Sequence, residues 1–151
     1  MTVGEYNADQ YRYDEAYVDF VDVSQPSAGA NAAFSVPGQF GVRVLAALAT
    51  LTTSASVANR LVSLDYISAN AVTRVRNPVS ATLPASQTNQ RIVWSCAWAN
   101  GLSVTNGPLV APVNELLVPP AWSIQFTVDA VQAADQLSVL SLVVLKVPTG
   151  A

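Results

Sequence analysis

Eight consecutive residues, Ser123-Ile124-Gln125-Phe126-Thr127-Val128-Asp129-Ala130, alternate polar and apolar without a break. Successive side chains of a strand point to opposite faces. The period of two therefore puts Ile124, Phe126, Val128 and Ala130 inside and Ser123, Gln125, Thr127 and Asp129 outside. A helical period of 3.6 does not fit. The segment reads as a half-buried strand.

From about residue 34 the chain is a succession of such runs, separated by turn residues at spacings typical of sandwiches. Gly41 to Thr53 reads as a long strand, and Leu61 to Ser68 as another with Val62, Leu64 and Tyr66 on one face. Ala71 to Arg76 is shorter and ends at Asn77-Pro78; Leu102 to Thr105 and Glu115 to Val118 are shorter still. Pro119-Pro120 demands a turn, because neither proline can donate to a ladder. Ile92, Trp94, Cys96 and Trp98 share one face of the run Arg91 to Ala99, which makes both tryptophans core or interface aromatics. Ala46 to Leu51 is the only rival helix, and its β-type neighbours argue against it.

Leu137 to Val147 differs from the other strands. One face carries Leu137, Val139, Val143, Leu145 and Val147, and the other Leu140, Leu142 and Val144. A sandwich strand normally keeps one polar face. Two apolar faces predict a strand covered on both sides, by the N-terminal segment or by another subunit, and Leu140, Leu142 and Val144 are the candidate partner-facing set. Composition agrees: hydrophobic residues make up 51% of the 151 residues and charged residues only 11%, too few to coat a free monomer well.

Charge is unevenly placed. Residues 1–22 hold Glu5, Asp9, Asp14, Glu15, Asp19 and Asp22 against Arg12 alone, together with Tyr6, Tyr11, Tyr13 and Tyr17. Tyrosines bury large areas at low entropic cost, and carboxylates steer toward basic surfaces. The expectation is an extended arm over residues 1–33, docking through Tyr6, Tyr11, Tyr13, Tyr17 and Phe20, ahead of a sandwich domain over 34–151. On that reading residues 1–22 can be deleted without unfolding the sandwich, although Tyr17 to Val23 also alternates well enough for a strand.

The chemistry of most enzymes is missing. Histidine is absent, which removes the commonest general base and metal ligand. The lone Cys96 lies in an apolar row and reads as an inert buried thiol, and it excludes an internal disulfide. Asp65 and Asp129 fall on outward strand faces, away from any carboxylate pair with Glu115 or Asp135. Asp14, Glu15, Asp19 and Asp22 lack the glycine-centred calcium loop, and no Gly-rich phosphate loop occurs. No cofactor, metal or small-molecule substrate is expected. Nucleic acid is disfavoured by the acidic balance, and a membrane by the lack of a long apolar run. The first residues lack a basic and then apolar leader, which with the single cysteine predicts assembly in a cytoplasm.

The order of features carries a resemblance. Thr50-Leu51-Thr52-Thr53-Ser54-Ala55-Ser56-Val57-Ala58-Asn59-Arg60 precedes a strand, and Ser86-Gln87-Thr88 precedes a Trp-bearing one. Glu115-Leu116-Leu117-Val118-Pro119-Pro120-Ala121-Trp122-Ser123-Ile124 follows, then Gln132-Ala133-Ala134-Asp135-Gln136-Leu137-Ser138 before the last apolar strand. Over residues 40–147 this resembles the small jelly-roll structural proteins of tailed bacteriophages, of the capsid decoration (cement) or head-accessory type. The resemblance implies a β-sandwich subunit of the virion surface, assembled in the host cytoplasm. It also implies a homotrimer that clamps the major capsid protein through a terminal arm. Ala121 and Ala134 stand where that pattern carries glycine, so their turns are not expected to need positive φ.

The expectation is thus an all-β, jelly-roll-like antiparallel sandwich acting as a structural virion protein and not as an enzyme. Another phage module (tail, neck or fibre base), a carbohydrate-binding sandwich and an enzyme with carboxylate chemistry are the alternatives. Against the glycan reading, the tryptophans lie on apolar rows.

Overall fold

The computed structural model describes residues 11–95 and 108–150. Within them run strands β1 (Tyr17–Val23), β2 (Ala32–Ser35), β3 (Phe40–Thr52), β4 (Leu61–Ile67), β5 (Thr73–Pro78) and β6 (Gln90–Ser95). β7 (Leu109–Pro112), β8 (Leu117–Val118), β9 (Ser123–Asp129) and β10 (Gln136–Pro148) complete the set. One six-stranded sheet has the order β1-β10-β3-β6-β7, with β8 also paired to β3; the four-stranded sheet runs β2-β9-β4-β5. Every pairing is antiparallel except β6 with β7. The chain is an all-β sandwich, as its alternation predicts.

The inward rows of the two sheets meet in one core. Val62, Leu64 and Tyr66 of β4 are fully buried, as are Ile124 and Phe126 of β9. Trp94 of β6 stacks edge-on against Phe126, ring centres 5.7 Å apart, and so bridges the layers. Its indole Nε1 donates to the Asn77 carbonyl at 2.8 Å, which keeps the one polar atom of that ring satisfied. Ala130 departs from expectation: it is exposed at φ +58° beyond the end of β9, where the chain leaves the sheet. β5 extends through Asn77 and Pro78, because as an edge strand it tolerates a residue that cannot donate. Cys96, Trp98 and the strand expected at residues 102–105 lie outside the described residues.

The arm expected over residues 1–33 is corrected from Tyr17 onward. β1 is hydrogen-bonded along β10 from Tyr17↔Lys146 to Val23↔Leu140, and β2 pairs with β9. Val21 and Val23 pack against the core, and Lys146 Nζ reaches Asp19 Oδ2 at 2.6 Å. The alternation of Tyr17 to Val23 outweighed its acidity: the carboxylates sit on an edge strand where water still reaches them.

Two bulges set which side of β10 faces the core. Ser138 pairs with Thr50 and Ser141 with Leu48, so β10 carries one extra residue there. Val139 takes φ +50° at that bulge, and Leu137 and Leu140 both turn inward. Thr50 pins the site, its Oγ1 donating to the Ser138 carbonyl at 3.0 Å and lying 2.6 Å from Ser138 Oγ. Further along, Val143 pairs with Ala46 and Val144 with Val44, so the extra residue is Leu45 of β3.

Four connections converge on one buried ion pair. Arg60 and Asp135 have side chains with no solvent exposure, joined by Nε to Oδ2 at 2.9 Å and Nη2 to Oδ1 at 3.0 Å. The guanidinium also donates to the carbonyls of Ala58 and Ser56. The carboxylate accepts from the amides of Ser54 and Gln132 at 2.7 and 2.8 Å. Gly29 donates its N–H to the Asp135 carbonyl at 2.7 Å, with φ +75° and the Ala133 backbone 3.0 Å from where a Cβ would stand. Arg60 pairs in turn with Leu83 through both backbone bonds. The loops after β1, β3, β5 and β9 are thereby tied together.

Burial pushes the Asp135 carboxyl up, but the Arg60 guanidinium and the Ser54 and Gln132 amides more than offset it and hold the pKa at about 2. A depressed carboxylate pKa contributes stability above its unfolded value near 3.9, lost as pH falls toward 2. Unfolding free energy should drop by about 2 kcal/mol between pH 5 and pH 2 from this group. Asp135→Asn, which strands the Arg60 charge, should cost about 3–5 kcal/mol at pH 7 in urea unfolding and flatten that pH dependence.

Ala121 corrects another expectation. It sits at φ +66° in a turn closed by Trp122 N–H to the Pro119 carbonyl at 3.3 Å. Proline followed by a positive-φ residue is a type II turn, which favours glycine at that place. Ala121→Gly should raise stability by about 1 kcal/mol, measured by urea unfolding, and an unchanged midpoint would contradict the turn assignment.

Candidate interaction surface: the outer face of the six-stranded sheet

The two sheets turn opposite characters to the outside. On the four-stranded sheet Arg76 binds Asp65 at 3.2 Å, Asp129 at 3.0 Å and the Ser63 hydroxyl at 2.7 Å. Ser123, Gln125 and Thr127 continue this polar face along β9. It is the outer surface of an ordinary sandwich.

The six-stranded sheet is apolar on both sides. Phe20, Val143 and Ala46 lie in one row across β1, β10 and β3. Leu48, Val93 and Val110 form the next row across β3, β6 and β7, and Val18 with Leu145 the row on the other side. Phe20 is 78% exposed, Val139 63% and Val18 51%; the others in these rows are half-buried. Unpaired charge enters this face only at Asp22, Arg43 and Arg91, none of which has an ion-pair partner among the described residues. Arg43 Nε is buried with no acceptor.

One end of this face is closed by the chain itself. Val147 is fully buried although it lies outside the core cluster. It pairs with Gly41, and a Cβ at Gly41 would stand 2.5 Å from the Tyr11 ring. Tyr11 thus lies over this row, with the Tyr13 ring 6.3 Å away. On the other side of the sheet, level with the core residue Val42, Tyr17 meets Phe40 edge-on at 6.1 Å, and Lys146 Nζ stands 5.6 Å above the same ring. The bond from Lys146 holds the Asp19 carboxyl below its ordinary range, against a smaller opposing effect of burial.

Sequence-derived candidates divide accordingly. Phe20 is on the exposed apolar face; Tyr11 and Tyr13 lie at its end; Tyr17 falls on the inward side of β1, level with Val42, against Phe40; Tyr6 lies outside the described residues. Leu140, Leu142 and Val144 are core residues and cannot meet a partner. The two-faced character of β10 was legible, but the bulge at Val139 exchanges its faces, so the outward set is Val139, Val143 and Leu145. Its one signal was the adjacent apolar pair Val139-Leu140 between two serines. Val110 was missed because β7 is too short for an alternating pattern.

Comparison with protein-family models, curated proteins and solved structures finds no match for this chain.

The face assignment is directly testable. Phe20→Ser should change folding stability by less than about 0.5 kcal/mol, as an exposed substitution does. Leu142→Ala should cost about 2–5 kcal/mol, because it opens a cavity in the core. Comparable losses for both in urea unfolding would contradict the placement of β10.

Proposed function

We propose that this chain is a structural subunit of a virion, a capsid decoration or cement protein, which works by having the outer face of its six-stranded sheet covered by neighbouring protein. One observation carries this reading: an apolar band runs obliquely across β1, β10, β3, β6 and β7, from Val18, Phe20 and Val143 to Leu48, Val93 and Val110, with Asp22, Ser141 and Ser95 at its margins, while the opposite sheet is normally polar. Exposed patches of that kind mark protein interfaces.

The strand order supports the jelly-roll expectation. The chain crosses between the sheets after β1, β2, β3, β5, β8 and β9, and β10 returns to lie between β1 and β3. That wrapping is how double-sheet jelly rolls of viral capsid proteins are built. The uses of such a subunit require rigidity more than chemistry, and the clamp at Arg60–Asp135 supplies it by fixing four loops on one end.

The test is reconstitution. Purified chain added to capsid shells of the virus that encodes it, stripped of this protein, should bind at a saturating stoichiometry and raise their disruption temperature. Phe20→Asp with Val139→Asp should abolish both effects while the free variant stays folded. Shells that neither bind the chain nor gain stability would overturn the reading.

A further inference from the structure

We infer that the outer face of the six-stranded sheet pairs with the same face of a second copy of this chain, about a two-fold axis running along the strands between β10 and β3. This rests on the reading above that the face is covered by protein, and it names the cover.

Charge placement on this face is what selects a second copy. Asp22 on β1 stands at the level of Ser141, Leu48 and Val93 in the sheet register. Arg91 lies two residues along β6 from Val93 on the same face, opposite Thr50. Both are exposed, and neither has an ion-pair partner among the described residues. The acid is therefore on one flank of the patch and the base on the other, with the apolar rows of β10 and β3 between them. A two-fold axis between those central strands lays β1 of one copy over β6 of the other, and β10 over β3. It preserves the level along the strands, so Asp22 of each copy is offset from the other's Arg91 by about 7 Å, two strand residues, across the roughly 10 Å between packed sheets, a backbone separation of about 12 Å that an arginine and an aspartate side chain together can span. The same operation sets Phe20 over Ser95, two residues along β6 from Val93, and lays Val143 of each copy over Ala46 of the other. A two-fold interface must be self-complementary in this way, and each ion pair then forms twice. A homotrimer, which the phage resemblance implies, is a different arrangement.

Light scattering coupled to gel filtration tests this on the full chain. At 100 μM or so the wild type should show about twice the monomer mass of 15.9 kDa. Asp22→Arg and Arg91→Asp should each weaken dimerisation by about tenfold, since the pair occurs twice per interface. The double variant, with the charges exchanged, should recover most of that loss, and Phe20→Asp should give monomers. Circular dichroism on each variant confirms the fold. A monomeric or trimeric wild type overturns the two-fold pairing, and so does a dimer indifferent to both charge reversals. Those outcomes are separable from the capsid reading, because shell binding is measured independently and can succeed with a monomer or fail with a dimer.

Discussion

The pairing of β10 with β3 is the constraint on which the remaining structure depends. From Gln136↔Thr52 to Pro148↔Phe40 the two strands span the same length, yet each carries one bulged residue in between. The first bulge turns Leu137, Leu140, Leu142 and Val144 to one side; the second, at Leu45, restores the register. A one-residue slip exchanges every side chain between core and surface. Without the bulge pinned by Thr50 and Ser138, the exposed Val139 would share the inward row with Leu137. The cost is a β-branched residue at positive φ, a conformation that valine adopts only where surrounding structure imposes it.

Charge is used sparingly and mostly in pairs. Arg60 with Asp135 closes one end, Arg76 with Asp65 and Asp129 covers the polar sheet, and Lys146 with Asp19 joins β1 to β10. The fully buried pair is tolerable only because its hydrogen-bonding capacity is nearly exhausted by loop carbonyls and amides. It makes one end of the sandwich rigid without a disulfide. Among the described residues, Asp22, Arg43 and Arg91 are the charges on the broad apolar sheet face, and none of them has an ion-pair partner there.

The sandwich was legible because alternation reports burial directly, as in Ser123–Asp129 and in the buried row Val62, Leu64 and Tyr66. Arg60 and Asp135 stand in polar turns, but nothing in the pattern of those turns announces that the two are joined and buried. The edge strand β1 was obscured by acidic residues, since sequence cannot tell an edge open to water from an arm outside the sheet. The inversion of β10 was barely legible: its own pattern offers only the adjacent pair Val139-Leu140, and the bulge is fixed by the Thr50 side chain on β3. Ala121 misled for a related reason: local turn geometry imposed by Pro119 and Pro120 overrides the residue's own preference.

The central claim is that the outer face of the six-stranded sheet is covered in the working form while that of the four-stranded sheet is not. Hydroxyl-radical footprinting of the assembled form against the dissociated chain measures this side chain by side chain. The account predicts strong protection of Phe20, Val143 and Leu145 on assembly, with Leu61 and Ile67 on the other sheet unchanged. Equal labelling of Phe20 in both forms, or protection of Leu61 and Ile67 instead, would contradict it.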